Sequence, residues 1–142
     1  MYVLSGHFRA AIINAGVSEG CNVLVTGAGG GVALLVAQLS IAKGANVFVT
    51  SGNDEKIQKL LPFGVKGGVN YKHGEGIPPR VKYTPEPDLS RLTEGWPVEL
   101  GKLLEREGNG LLDAVIDSAG RDIADKTSKL LKPGGKIVAY GM

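Results

Sequence analysis

The stretch Asn22-Val-Leu-Val-Thr-Gly-Ala-Gly-Gly-Gly-Val-Ala33 decides the fold. Its first half is apolar and β-branched, which predicts a buried strand over residues 22–26. Its second half is a glycine turn. Beyond the turn, residues 32–43 carry Leu34, Leu35, Leu39 and Ile41 and predict a helix, closed by Lys43 and then by Gly44 just past the end. Strand, turn and helix in this order open a parallel βαβ unit. Within it, Ala28, Gly29, Gly30, Gly31, Val32 and Ala33 have the A-x-G-x-x-A spacing of a dinucleotide fingerprint. The middle glycine, Gly30, lets the backbone approach a pyrophosphate, and Ala33 lets the helix pack closely on the strand. The helix N-terminus then offers N–H donors and a positive dipole end. The plainer alternative is a tight strand–helix turn with no ligand.

Working outward, strands and helices continue to alternate. Residues 46–50 predict a second strand. Asn53 caps a helix with Asp54 and Glu55 in its first turn, and Pro62 and Gly64 end it. Residues 68–71 predict a third strand. From Lys72 to Gly95 periodicity fails and Pro78, Pro79, Pro85 and Pro87 intervene, so residues 72–95 are expected to be an irregular insertion. A helix over 98–106, a strand over 111–117, a helix over 123–132, a turn at Pro133-Gly134-Gly135 and a strand over 136–140 complete the pattern. Alternation of this kind predicts an α/β Rossmann-type open parallel sheet, order 3-2-1-4-5, with helices on both faces and the sixth strand missing. The bare fifth strand suggests a fragment, because natural sheets protect their edges.

Composition narrows the function classes. The chain has 142 residues, enough for one domain, with 43% hydrophobic and 21% charged residues. A net charge of +2 without a basic run gives no nucleic-acid footprint. No apolar run approaches membrane-spanning length, and residues 1–9 do not read as a signal peptide. The single cysteine, Cys21, excludes a disulfide framework, and Cys21, His7 and His73 share no metal-ligand spacing. A soluble, cytoplasmic protein without a metal site is expected.

The end of the second strand is informative. Domains that bind NAD carry an acid there for the ribose 2′-OH. This strand ends Val49-Thr50-Ser51-Gly52, with Lys56 one helical turn on. Hydroxyls and a cation in place of the acid suit a 2′-phosphate, hence NADP(H), with NAD(H) as second choice. Asp54 and Glu55 lie close by. Alternatively, Ser51 serves only the turn and Lys56 is a solvated helix cation.

Taken together, Val23–Val32, Ala37-Gln38-Leu39, Lys43-Gly44-Ala45, Thr50-Ser51, Asp54-Glu55-Lys56, Val69-Asn70-Tyr71, Asp113-Ala-Val-Ile-Asp117-Ser-Ala-Gly120 and Leu131-Lys-Pro-Gly-Gly135 resemble the quinone oxidoreductase-like branch of the medium-chain dehydrogenase/reductases. The resemblance spans most of the chain outside 72–95. It implies that Lys56 and Tyr71 bind the phosphate end of NADP, and that Ser118, Ala119, Gly120 and Gly141 lie near the nicotinamide half. It further implies an NADP(H)-dependent, zinc-independent hydride transfer to a carbonyl, enone or quinone. Residues 1–15 then correspond to the helix joining the cofactor domain to a catalytic domain, and residues 16–142 to the dinucleotide-binding domain. A small-molecule substrate is expected only where that catalytic domain is supplied, and a homodimer is possible for the full-length family. For Tyr71 a half-buried aromatic at a strand end is the alternative. No catalytic residue is assigned.

Two other readings compete. A short-chain dehydrogenase needs a Tyr-x-x-x-Lys pair, but Tyr2, Tyr71 and Tyr83 are followed four residues on by Gly6, Glu75 and Pro87. A non-catalytic NADPH-binding fragment or sensor needs only the fingerprint.

Overall fold

The computed structural model describes residues 12–13, 15–27, 31–71, 89–108, 110–117 and 123–139. The elements in chain order are β1 (Asn22–Val25), α1 (Gly31–Ala42), β2 (Asn46–Ser51), α2 (Asp54–Leu60), a 3-10 turn (Leu61–Phe63), β3 (Gly67–Asn70), α3 (Leu89–Glu107), β4 (Leu112–Asp117), α4 (Ile123–Thr127) and β5 (Leu131–Ala139). The strands form one sheet in the order β3-β2-β1-β4-β5, and every pairing is parallel. This is the doubly wound α/β architecture expected from the sequence.

Side-chain alternation along the strands divides the core into two layers. Val23 and Val25 of β1, Val47 and Val49 of β2, and Ala114 and Ile116 of β4 join Ala33, Val36 and Ala37 of α1 and Ile57 and Leu60 of α2. Leu24, Phe48 and Val115 point to the other face and meet Trp96, Leu100, Leu103 and Leu104 of α3 and Ile123 of α4. The three central strands are covered on both sides. This explains why they read as continuous apolar runs rather than alternating ones. The buried stripe of α1 is built of small residues: Ala33, Ala37 and Ser40 all lie inside with Val36. Small side chains there bring the helix close to the sheet.

Close approach also governs β3, which lies between α2 and α3. A Cβ on Gly68 would stand 2.8 Å from both Ile57 Cγ2 and Val49 Cγ2, and one on Gly67 would stand 2.8 Å from Leu103 Cδ1. At Gly68 the Val49 carbonyl of the neighbouring strand, 3.0 Å from such a Cβ, leaves no room for a larger residue, whereas at Gly67 the obstacle is the tip of the Leu103 side chain.

Three boundaries differ from the sequence reading. First, α3 begins at Leu89, so residues 89–95, expected to be irregular, are helical, and Pro97 sits inside the helix. An internal proline costs about 3 kcal/mol. Burial of Trp96, Leu100, Leu103 and Leu104 offsets it, because a fully buried large apolar side chain contributes roughly 1.5–3 kcal/mol. Residues 72–88 lie outside the described residues. Second, α4 stops at Thr127 rather than Lys132. The Leu130 N–H donates to the Thr127 carbonyl, and the Leu130 carbonyl accepts from the Leu112 N–H. That second bond draws the chain into the sheet. Third, β5 starts at Leu131 and absorbs the expected Pro133-Gly134-Gly135 turn as an irregularity. Leu112 is paired with Leu131, but Ala114 with Lys136. Gly134 adopts φ 82° inside it. Of the expected inter-domain helix over 1–15, residues 12–13 are helical, and Ile12 and Ala15 are buried against the α1/α2 layer. Residues 1–11 and 14 lie outside the described residues.

The opposite rim of the sheet, where strands begin, is held by polar contacts. The buried Asn22 donates its backbone N–H to Asp113 Oδ2 (2.8 Å) and its side-chain amide to the Leu111 carbonyl (2.8 Å). Lys132 pairs with Asp113 at 3.2 Å.

Candidate functional site

In an open parallel sheet the ligand crevice lies beyond the carboxyl ends of the strands, where the strand order reverses. Here that point falls between β1 and β4. β1 runs into Thr26 and Gly27, and β4 ends at Asp117. Pairing continues one step past the ladder, with the Thr26 N–H donating to the Ile116 carbonyl at 3.1 Å. The Thr26 hydroxyl then donates to Asp117 Oδ1 at 2.6 Å. Both residues are buried, and a hydroxyl–carboxylate bond of that length is of the strong, charge-assisted kind. Gly27 follows with φ 72°, a left-handed conformation that favours glycine, and its N–H donates to the Thr50 hydroxyl at 3.3 Å. The ends of β2, β1 and β4 are thereby joined by side-chain bonds at the base of the turn that leads into α1.

A second group of residues gathers at the ends of β2 and β3. The Ser51 hydroxyl accepts the Asn53 N–H at 3.2 Å, and the Ser51 carbonyl accepts the Tyr71 N–H at 3.1 Å. Asn53 caps α2, with its side-chain oxygen accepting the Glu55 N–H at 2.7 Å. The Asn70 amide donates to Asp54 Oδ1 at 3.2 Å. Lys56 lies on the first turn of α2 and is exposed, and Tyr71 is 40% exposed. Ser51 and Thr50 are buried, so their hydroxyls shape this corner from beneath while Lys56 and Tyr71 face solvent.

Of the residues singled out from sequence, Thr50, Ser51, Lys56 and Tyr71 thus fall at one corner, at the carboxyl ends of β2 and β3. Gly31 and Val32 open α1. Ala28, Gly29, Gly30, Ser118, Ala119, Gly120 and Gly141 lie outside the described residues. Sequence reasoning passed over Thr26, Asp117, Asn70 and Asp54 as site residues. A signal was present: Thr26 and Asp117 end two strands that adjoin at the order reversal, and Asn70 immediately precedes Tyr71. Among the described residues no cluster of three His, Cys, Asp or Glu could hold a metal ion, and no helix is long and apolar enough to cross a membrane.

Comparison with known proteins agrees with this architecture. The zinc-binding dehydrogenase family model matches residues 31–142. A zinc-type alcohol dehydrogenase-like protein of Leptosphaeria maculans is 40% identical over 136 residues, covering 95% of this chain and 33% of the relative. A quinone oxidoreductase of Pongo abelii is 32% identical over 134 residues, covering 94% of this chain and 34% of the relative. The solved structure of CurA from Vibrio vulnificus in complex with NADPH superposes with a TM-score of 0.66 at 20% identity, covering 92% of this chain and 32% of that one, a likeness of fold. The chain therefore spans about a third of the length of the curated relatives it matches. With its parallel sheet and a family match over most of its length, the chain belongs to the zinc-binding dehydrogenase family, as a nucleotide-binding Rossmann-type domain of the quinone oxidoreductase-like medium-chain dehydrogenase/reductases.

Proposed function

We propose that this chain is the NADP(H)-binding domain of a zinc-independent medium-chain oxidoreductase that transfers hydride to a carbonyl, enone or quinone. One observation carries the cofactor preference: β2 ends in Thr50 and Ser51 without a carboxylate, beside an exposed Lys56 and Tyr71. A ribose 2′-phosphate needs cations and donors, and a ribose 2′-OH needs an acceptor. Among the described residues Lys56 makes no ion pair, so its ammonium remains available to a phosphate. The glycine turn between Gly27 and α1 suits the pyrophosphate, for which Ala28, Gly29, Gly30, Gly31 and Val32 would supply backbone donors. The positive φ of Gly27 and the small buried residues of α1 fit such a turn. Ser118, Ala119, Gly120 and Gly141 are assigned to the nicotinamide half. The bound cofactor supplies the hydride, and the protein supplies position and surroundings. In this reading substrate is held against the nicotinamide by a catalytic domain outside these 142 residues, the location is cytoplasmic, and the full-length protein pairs as a homodimer.

Titration of the purified chain with NADPH and NADH, followed by nicotinamide fluorescence, tests the cofactor reading. Tighter binding of NADPH is expected, and Lys56→Ala weakens NADPH on the order of tenfold, the worth of about one charge contact, while sparing NADH. A folded chain that binds neither nucleotide overturns the proposal.

A further inference from the structure

Two acids at the β2 corner, Asp54 and Glu55 in the first turn of α2, argue against a phosphate, and Asp54 is the nearer to the strand end. It lies three residues beyond Ser51 and 24 beyond Gly30, close to the distance at which NAD-binding domains place their ribose-binding acid. Left to itself, an ionised carboxylate there would repel a 2′-phosphate and accept a ribose hydroxyl. In the structure it is not left to itself. Asn70, 9% exposed at the end of β3, donates its amide to Asp54 Oδ1 at 3.2 Å. The sheet register pairs Asn70 with Ser51, so the anchor comes from the strand alongside the corner rather than from α2 itself.

We infer that Asn70 is a specificity-positioning residue: by holding the Asp54 carboxylate to the end of β3, it keeps that charge off the cofactor ribose and so preserves the preference for NADPH over NADH. The inference rests on the NADP(H) reading above. Asn70 acts through Asp54 and need not touch the cofactor. Its partner is exposed and water screens the charge, so the effect is moderate.

The ratio of dissociation constants for NADH and NADPH is the readout, because a purely structural role weakens both nucleotides together. Asn70→Ala narrows the ratio about three- to fivefold. Asp54→Glu, a change on an exposed helix turn, shifts the carboxylate by one methylene relative to the same anchor and narrows the ratio in the same direction. In an Asp54→Asn background the Asn70→Ala effect disappears. A wild-type preference for NADPH that survives both Asn70→Ala and Asp54→Glu overturns the inference and leaves the cofactor reading standing. So does narrowing by Asn70→Ala that persists in the Asp54→Asn background. A folded wild-type chain without preference for NADPH removes the cofactor reading and this inference with it.

Discussion

Ser40 sits on the buried stripe of α1, wholly inside, and its hydroxyl has no hydrogen-bond partner. An unsatisfied buried hydroxyl carries a desolvation penalty that no contact returns. Alanine also has the higher helix propensity. Ser40→Ala is therefore expected to stabilise the domain by about 1 kcal/mol, seen as a higher midpoint in thermal denaturation. Thr26 is the opposite case. Its hydroxyl meets a buried carboxylate at 2.6 Å, so Thr26→Val keeps the shape of the side chain but removes a donor from Asp117. A loss of about 1–3 kcal/mol is expected in urea unfolding. The two residues look alike in sequence, each a small hydroxyl side chain in an apolar run. Only the third dimension separates them: Thr26 follows a strand and meets an acid, whereas the Ser40 hydroxyl is buried with no partner.

Among the elements, β3 is set by what packs over it. Gly68→Ala puts a methyl group 2.8 Å from Ile57 and Val49 and 3.0 Å from the Val49 carbonyl, and backbone cannot yield as a flexible side-chain tip can. We expect a loss of about 1–3 kcal/mol, measured by chemical denaturation, although alanine is ordinarily no worse than glycine in a strand. The elements that were legible in sequence were those whose signals are local. The apolar runs of β1, β2 and β4, the Asn53 cap and the Gly44 and Gly64 terminators all act within a few residues. Those that were not legible depend on remote contacts. α3 runs through Pro97 because Trp96 and three leucines are buried under the sheet. α4 gives way to β5 because Leu112 draws Leu130 into the ladder. Of the site, the glycine turn and Lys56 stood out as residue types at a spacing, whereas the Asn70–Asp54 and Thr26–Asp117 contacts join residues 16 and 91 positions apart.

At the scale of the whole molecule the two rims of the sheet differ in purpose. Where strands begin, Asn22, Asp113 and Lys132 tie β1, β4 and β5 together. Where they end, Thr50, Gly27, Thr26 and Asp117 join β2, β1 and β4 beneath the turn into α1. Parallel strands are commonly pictured as free to fray at their tips. Here the tips of β1 and β4 are latched beyond the last rung of the ladder, so the two walls of the crevice behave as a fixed jaw. The amide hydrogens of Thr26 and Gly27, though they lie past the end of β1, belong with the slowly exchanging heart of the sheet rather than with its margins.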